Sequence, residues 1–185
     1  MAQTILVTGG AGYIGSHTTL ELLSAGFDVV VLDNLSNGSR EALTRVAEIV
    51  GREPTFVEMD ILDAPALDAV FQAHDFDAVI HFAALKAVGE SARIPLQYYE
   101  NNVTGTLTLL AAMQQRGVKR LVFSSSATVY GEVAGVPITE SFPLSATNPY
   151  GRTKLMMEDI MRDLALAEPD WNIRLLRYVN PGGAQ

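Results

Sequence analysis

The chain has 185 residues, 48% of them hydrophobic, with a formal net charge of −8 and no cysteine. That length suits one domain with a substantial core. Lack of cysteine excludes disulfides and thiolate metal sites, acidity without a basic cluster argues against a nucleic-acid partner, and no apolar run approaches the roughly 18 residues of a membrane span.

Thr4-Ile5-Leu6-Val7 follows the first residues directly, with no basic region or small-residue cleavage site, so no signal peptide is expected and the cytoplasm is the expected setting. Ile5–Thr8 reads as a first strand and Ile14–Ala25 as a first helix, with Gly26 past its end. Val29–Leu32 is a second strand, Arg40–Val50 an amphipathic helix and Thr55–Val57 a short third strand. Ala64–Ala73 reads as a helix with Asp63 as N-cap and Pro65 in its first turn. Ala78–Phe82 is a fourth strand, Leu96–Arg116 a long helix closed by Gly117, and Arg120–Ser124 a fifth strand. Gly131–Asn148 is too long for an ordinary connection, and long loops in compact domains are often functional. Pro149–Ala167 is the last helix and Ile173–Leu176 a sixth strand.

Apolar runs alternating with helix-period segments are the mark of βαβ units, so the expected fold is a doubly wound, parallel α/β sheet of the Rossmann type. Residues 1–178 would form that nucleotide-binding domain, and residues 179–185 would begin a truncated substrate-binding region.

The segment Thr8-Gly9-Gly10-Ala11-Gly12-Tyr13-Ile14-Gly15 joins the first strand to the first helix. Gly9 permits a tight turn, Gly12 lets backbone approach a pyrophosphate, and Gly15 brings helix close to strand. N–H groups at Tyr13 and Ile14 then open toward phosphate, aided by the helix dipole. A glycine triplet alone is weak evidence, but Asp33 ends the second strand, where a carboxylate suits adenosine ribose hydroxyls and repels a 2′-phosphate. The expected cofactor is therefore NAD. Asn34, Ser36, Asn37 and Gly38 add a polar rim. Asp60 and Ile61 suit adenine, through a carboxylate–amino contact and an apolar face, although an N-cap beside a core isoleucine explains them equally well. Phe82, Ala83 and Ala84 end the fourth strand, on the edge where such sheets bind ligands, and Lys86 is placed to reach cofactor or substrate phosphates. His81 reads as a satisfied strand-end residue, and no metal site is expected.

Ser124, Ser125 and Ser126 end the fifth strand. Asn148 is placed to cap the next helix with Pro149 in its first turn, which puts Tyr150 at the helix start and Lys154 one turn on, on the same face. A nearby ammonium favours the ionised form of a phenol, so the pair is expected to make Tyr150 acidic.

These strings, with Phe82 to Ser91 (FAALKAVGES), Asn101-Asn102-Val103, Ser124 to Gly131 (SSSATVYG), Pro149 to Lys154 (PYGRTK) and Arg177 to Pro181 (RYVNP), resemble the short-chain dehydrogenase/reductase superfamily in its extended, nucleotide-sugar-modifying branch. The resemblance covers essentially the whole chain. It implies that Tyr150 is the acid/base, that Lys154 lowers its pKa and holds the nicotinamide ribose, and that Ser126 bonds the reacting sugar hydroxyl. It also implies that Asn101, Ser124 and Tyr178 contact the cofactor and that Asn180 contacts a UDP-sugar. The implied reaction interconverts UDP-galactose and UDP-glucose by transient oxidation at C4. Dehydratases of the branch carry an acidic pair after the catalytic hydroxyl; here those positions are Ala127 and Thr128, which leaves dehydration without its acid and base. Val179 stands where the branch has an aromatic residue. Its C-terminal region, which grips the UDP moiety, is expected to be largely absent here, with turnover impaired. Two alternatives stay open: 4-epimerisation of another UDP-sugar (N-acetylhexosamine or pentose), or a catalytically silent NAD(H)-binding module. Leu107, Leu110 and Ala111 on one helix, with Met156, Met157 and Ile160 on another, form either a homodimer face or, more simply, sheet packing.

Overall fold

Residues 2–132 and 135–179 are described by a computed structural model. Six parallel strands form one sheet in the order β3-β2-β1-β4-β5-β6, from β1 (Thr4–Thr8), β2 (Asp28–Asp33), β3 (Thr55–Glu58), β4 (Ala78–His81), β5 (Arg120–Ser126) and β6 (Asn172–Tyr178). The helices are α1 (Tyr13–Ser24), α2 (Arg40–Val50), α3 (Ala64–Ala73), α4 (Val88–Ser91), α5 (Pro95–Tyr98), α6 (Gly105–Arg116) and α7 (Pro149–Ala167). Chain order runs outward from β1 to β3, then reverses to β4 on the other side. That reversal opens a crevice beyond the carboxyl ends of β1 and β4, where doubly wound sheets hold their ligands.

Alternation along the strands splits the core in two. Leu6, Val30, Leu32, Val79, Leu121 and Phe123 face a cluster with Leu67 and Phe71 of α3, Leu109 and Met113 of α6, and Met157 and Met161 of α7. Ile5, Val7, Val29 and Val31 face the other side, against Leu23 of α1 and Leu43 and Val46 of α2. Burial on both faces is why these strands read as continuous apolar runs. Each fully buried side chain among them stabilises the fold by about 1.5–3 kcal/mol.

The caps form as expected: Asp63 accepts from Ala66 N at 3.0 Å, and Asn148 accepts from Gly151 N at 2.8 Å with Pro149 in the first turn of α7. Three features differ from expectation. β5 continues to Ser126 because β6 pairs alongside it as far as Tyr178. The short α4 went unread, since four residues carry no periodicity. The helix expected over Leu96–Arg116 is broken: α5 gives way to a π-helical turn at Tyr99–Thr104 before α6 begins. Single π turns of this kind often mark functional sites. Here the turn carries the buried Asn102 side chain against the loop after β4, where its Oδ1 accepts from Leu85 N at 2.8 Å and its Nδ2 donates to Leu85 O at 2.9 Å.

Candidate active site

The crevice is a cleft of about 520 Å³. Its floor is the glycine loop. Gly9 adopts φ +70°, and a Cβ there would lie 2.6 Å from Ala83 N; a Cβ on Gly15 would lie 2.2 Å from Gly9 O. Gly12 caps α1 with no side chain, so the first-turn N–H groups of Tyr13 and Ile14, both lining the cleft, have no side-chain acceptor. Orphan donors at a helix start are a ready-made anion site.

Asp33 is buried at the end of β2, its oxygens accepting from Ala11 N at 3.0 Å and Leu35 N at 2.8 Å. Each carboxylate oxygen keeps a lone pair for a further donor. Asn34, Ser36, Asn37 and Gly38 line the rim beside it. Ile61 reaches the cleft while packing into the core. Asp60 accepts from Leu62 N at 2.9 Å and from Asn34 Nδ2 at 3.0 Å, which fixes the turn before α3 and, as at Asp33, leaves each oxygen a lone pair. Phe82, Ala83, Ala84, Lys86, Asn101, Ser124 and Tyr178 all line the cleft as expected, whereas Asn180 lies outside the described residues.

At the far end β5 and α7 bring Ser126, Tyr150 and Lys154 together. The Ser126 hydroxyl accepts from Thr128 N at 3.2 Å and from Thr128 Oγ1 at 3.0 Å. Lys154 is 3% exposed; its Nζ donates to Ser124 O at 2.7 Å and sits 4.8 Å from the Phe123 ring centre. Burial pulls its pKa down to about 7, against the opposing pull of Glu158. The Tyr150 phenol is pushed up from its ordinary value by burial, with the Ser126 hydroxyl acting the other way. This differs from the expectation of an acidic phenol: burial sets the direction of the shift, and the lysine nitrogen is aimed at the Ser124 carbonyl, 6.0 Å from the Tyr150 ring centre.

His81 is wholly buried between Thr8 Oγ1 at 2.6 Å and Thr106 Oγ1 at 2.9 Å, the satisfied residue expected. Burial, reinforced by the Lys154 ammonium, lowers its pKa to about 3. Among the described residues no group of His, Asp or Glu is placed to hold a metal ion, and no helix is long and apolar enough to cross a membrane.

Several site residues were missed. Thr128 lines the cleft and orients Ser126. Asn102 holds Leu85 and also donates to Thr153 at 3.1 Å, tying the loop after β4 to α7. Nothing in the pair Asn101-Asn102 shows which of the two turns inward. Glu158 did leave a signal, since it lies one turn beyond Lys154 on the same helix face. A second cleft of about 620 Å³ shares Tyr178 and Val179 with the first and is bounded by Tyr130, Ile138 and Leu176.

A glycine loop at a strand-order reversal, an acidic residue ending β2 and a Ser-Tyr-Lys group ending β5 and starting α7 define a Rossmann-type nucleotide-binding domain with a candidate acid/base group in its cleft. Residues 5–185 match the model of the NAD dependent epimerase/dehydratase family, and the chain belongs to it. It is 64% identical over 182 residues to the UDP-glucose 4-epimerase of Bacillus subtilis, covering 98% of this chain and 54% of that protein. The crystal structure of the Bifidobacterium longum UDP-glucose 4-epimerase with NAD+ and UDP superposes with a TM-score of 0.97 at 50% identity, over 99% of this chain and 55% of that one. A UDP-glucose-4-epimerase from Stenotrophomonas maltophila, with bound NAD and formylated UDP-arabinopyranose, gives 0.95 at 52% identity over 98% and 54%. The chain thus spans about half the length of these relatives.

Proposed function

We propose that this chain is the nucleotide-binding and catalytic portion of an NAD-dependent UDP-glucose 4-epimerase. The observation that carries the proposal is the convergence of Ser126, Tyr150 and Lys154 on the same cleft as the glycine loop and Asp33. The cleft fits the dinucleotide: Gly9 and Gly15 allow a turn no side chain would permit, α1 offers uncapped N–H groups, and Asp33 retains acceptor capacity. Asp33 would hold the adenosine ribose, the start of α1 the pyrophosphate, and Lys154 with Asn101 and Tyr178 the nicotinamide end. Once bound, the dinucleotide would supply reversible two-electron oxidation at sugar C4.

The protein's own part is proton handling and placement. Tyr150 as phenolate accepts the sugar O4 proton, and as phenol returns it to the same oxygen once the 4-keto sugar has turned. Ser126, oriented by Thr128, holds that oxygen. Ala127 and Thr128 offer no acid or base to expel water from the ring, which separates epimerisation from dehydration. Converging acid/base groups at the cleft also weigh against a module that only binds NAD(H).

Full-length protein is expected to convert UDP-galactose to UDP-glucose with NAD bound, and an inactive NAD-loaded preparation would defeat the assignment. The UDP-pentose in the Stenotrophomonas relative keeps a pentose substrate in view, so UDP-arabinopyranose and an N-acetylated hexose belong in the same assay. The proposal includes a homodimer through α6 and α7. Leu107, Ala111 and Met156 are exposed there and Ile160 is half-buried, while Leu110 and Met157 are spent on the core. A monomer by light scattering would remove this part. A cytoplasmic setting is also proposed, in keeping with a fold that needs no disulfide; activity confined to another cell fraction would refute it.

A further inference from the structure

Glu158 is fully buried on α7, one turn beyond Lys154, and does not line the cleft. A carboxylate in that position is costly unless paired and hydrogen-bonded, and this one is held from three elements. Ser125 Oγ on β5 donates to Oε1 at 2.5 Å. Arg177 on β6 forks onto it, Nε to Oε1 at 3.0 Å and Nη2 to Oε2 at 2.8 Å. Arg162, one turn further along α7, donates to Oε2 at 2.5 Å. Arg177 also donates to Tyr130 Oη at 2.8 Å, reaching the turn that follows Ser126.

Ser125 stands between the two β5 residues that meet the catalytic helix. On one side, Ser124 O takes the Lys154 hydrogen bond; on the other, the Ser126 hydroxyl neighbours Tyr150. We propose that Glu158 is a positioning residue, its shared carboxylate setting the spacing between Ser126 on β5 and the Tyr150–Lys154 face of α7. This rests on the catalytic role assigned to those three residues above. A buried ion pair is a poor device for stability alone, because well-packed apolar residues serve as well or better. What an apolar pair cannot do is fix two strands and a helix in one directional register. Glu158 also supplies negative charge near Lys154. The other groups around that amine are His81 from β4, Tyr150 on α7 itself and the Ser124 carbonyl and Phe123 ring from β5; Arg177 and Arg162 stand behind the carboxylate.

The test uses full-length protein carrying Glu158→Gln, with kcat, KM for UDP-galactose, NAD affinity and the titration of ¹³Cε-labelled Lys154, assigned with Lys154→Met. Because small misplacements of reacting groups cost up to ~100-fold, kcat is expected to fall roughly 30-fold, with KM and NAD affinity nearly unchanged. The Lys154 midpoint, read in nucleotide-free protein, is expected to move to lower pH. A folded Gln variant with unaltered kcat and an unmoved midpoint overturns the proposal, whatever it does to stability. Should that variant fail to fold, Ser125→Ala removes only the β5 link and is expected to lower kcat roughly tenfold; full kcat there overturns it too. Should wild-type protein turn over no UDP-sugar, the proposed function fails and the Lys154 titration alone decides: an unmoved midpoint rejects Glu158, a shifted one keeps it as the residue that sets this amine.

Discussion

Two alanine substitutions three positions apart, at Gly12 and Gly15, should separate the loop's fold from its binding role. At Gly15 an added Cβ would lie 2.2 Å from Gly9 O, 2.7 Å from Gly10 Cα and 2.9 Å from Gly9 C. All three are backbone atoms, and a Cβ has no torsion by which to turn away. Overpacking of this kind costs typically about 1–3 kcal/mol, with the loop displaced from α1. At Gly12 the backbone is extended, with φ −77° and ψ 177°, and an added Cβ meets only Gly9 O at 3.3 Å. Gly12→Ala is therefore expected to cost about 1 kcal/mol or less in stability, the difference between glycine and alanine as an N-cap. Its methyl group would stand beside the N–H groups that open α1. Loss of one or two hydrogen bonds to a charged phosphate, at about 1.5–3 kcal/mol each, corresponds to at least a tenfold weaker NAD complex. Calorimetric NAD titration and thermal melts of both variants provide the assay. Gly15→Ala should lower both affinity and melting temperature markedly, and Gly12→Ala chiefly affinity. Wild-type NAD binding by Gly12→Ala, or an unchanged melting temperature for Gly15→Ala, would refute the reasoning.

Tyr150→Phe is expected to lower epimerase kcat by roughly 10²–10⁴-fold while sparing NAD binding, because it removes only the proton carrier; single-turnover assays with UDP-galactose check this. His81 supplies a pH signature. Its folded pKa of about 3 lies below the ordinary value of 6.5, so it contributes stability above about 6.5 that is lost as pH falls toward 3. The slope from this one group is about 1.4 kcal/mol per pH unit. Urea melts across that window, compared with His81→Gln, should show one proton fewer taken up on unfolding in the variant; identical slopes would dismiss His81 as the source. Asn102→Ala strands the Leu85 N–H and C=O, which Asn102 satisfies together. At about 1–3 kcal/mol per stranded group, a total loss of about 2–6 kcal/mol is expected from denaturant melts, and a loss below 1 kcal/mol would show that the loop re-pairs.

What could be read from the chain followed from local chemistry. Strands buried on both faces announce themselves as apolar runs, and Asp63 and Asn148 mark their helix starts because short polar side chains satisfy orphan N–H groups. Gly9, Gly15 and Asp33 were legible because each answers one steric or electrostatic demand at a fixed place in a βαβ unit. Residues whose role lies in a distant partner were not. Asn102 serves Leu85, seventeen positions away, and Thr153, fifty-one positions away, and no local pattern encodes either. Asp60 shows the converse. Its neighbourhood allowed a ligand contact or a local turn equally, and the turn is visible in its bonds to Leu62 and Asn34.

Tyr150 and Lys154 show where proximity fails as a guide to acidity. At the observed 6.0 Å from the phenol ring centre, a full positive charge would favour the phenolate by about 3 kcal/mol at an effective dielectric of 20, roughly two pKa units. That benefit exists only while the lysine is charged, and burial has brought its pKa to about 7. Above that pH the cation is largely absent, while burial of the phenol itself acts at every pH. Desolvation therefore wins at both residues. The charge on Lys154, rather than its distance, is the variable the protein has to control. Glu158 is the carboxylate that pulls that amine's pKa back up, and it is tied to β5 through Ser125, between the two serines that meet Lys154 and Tyr150. Acidity at Tyr150 is thus a property of the helix–strand joint as a whole.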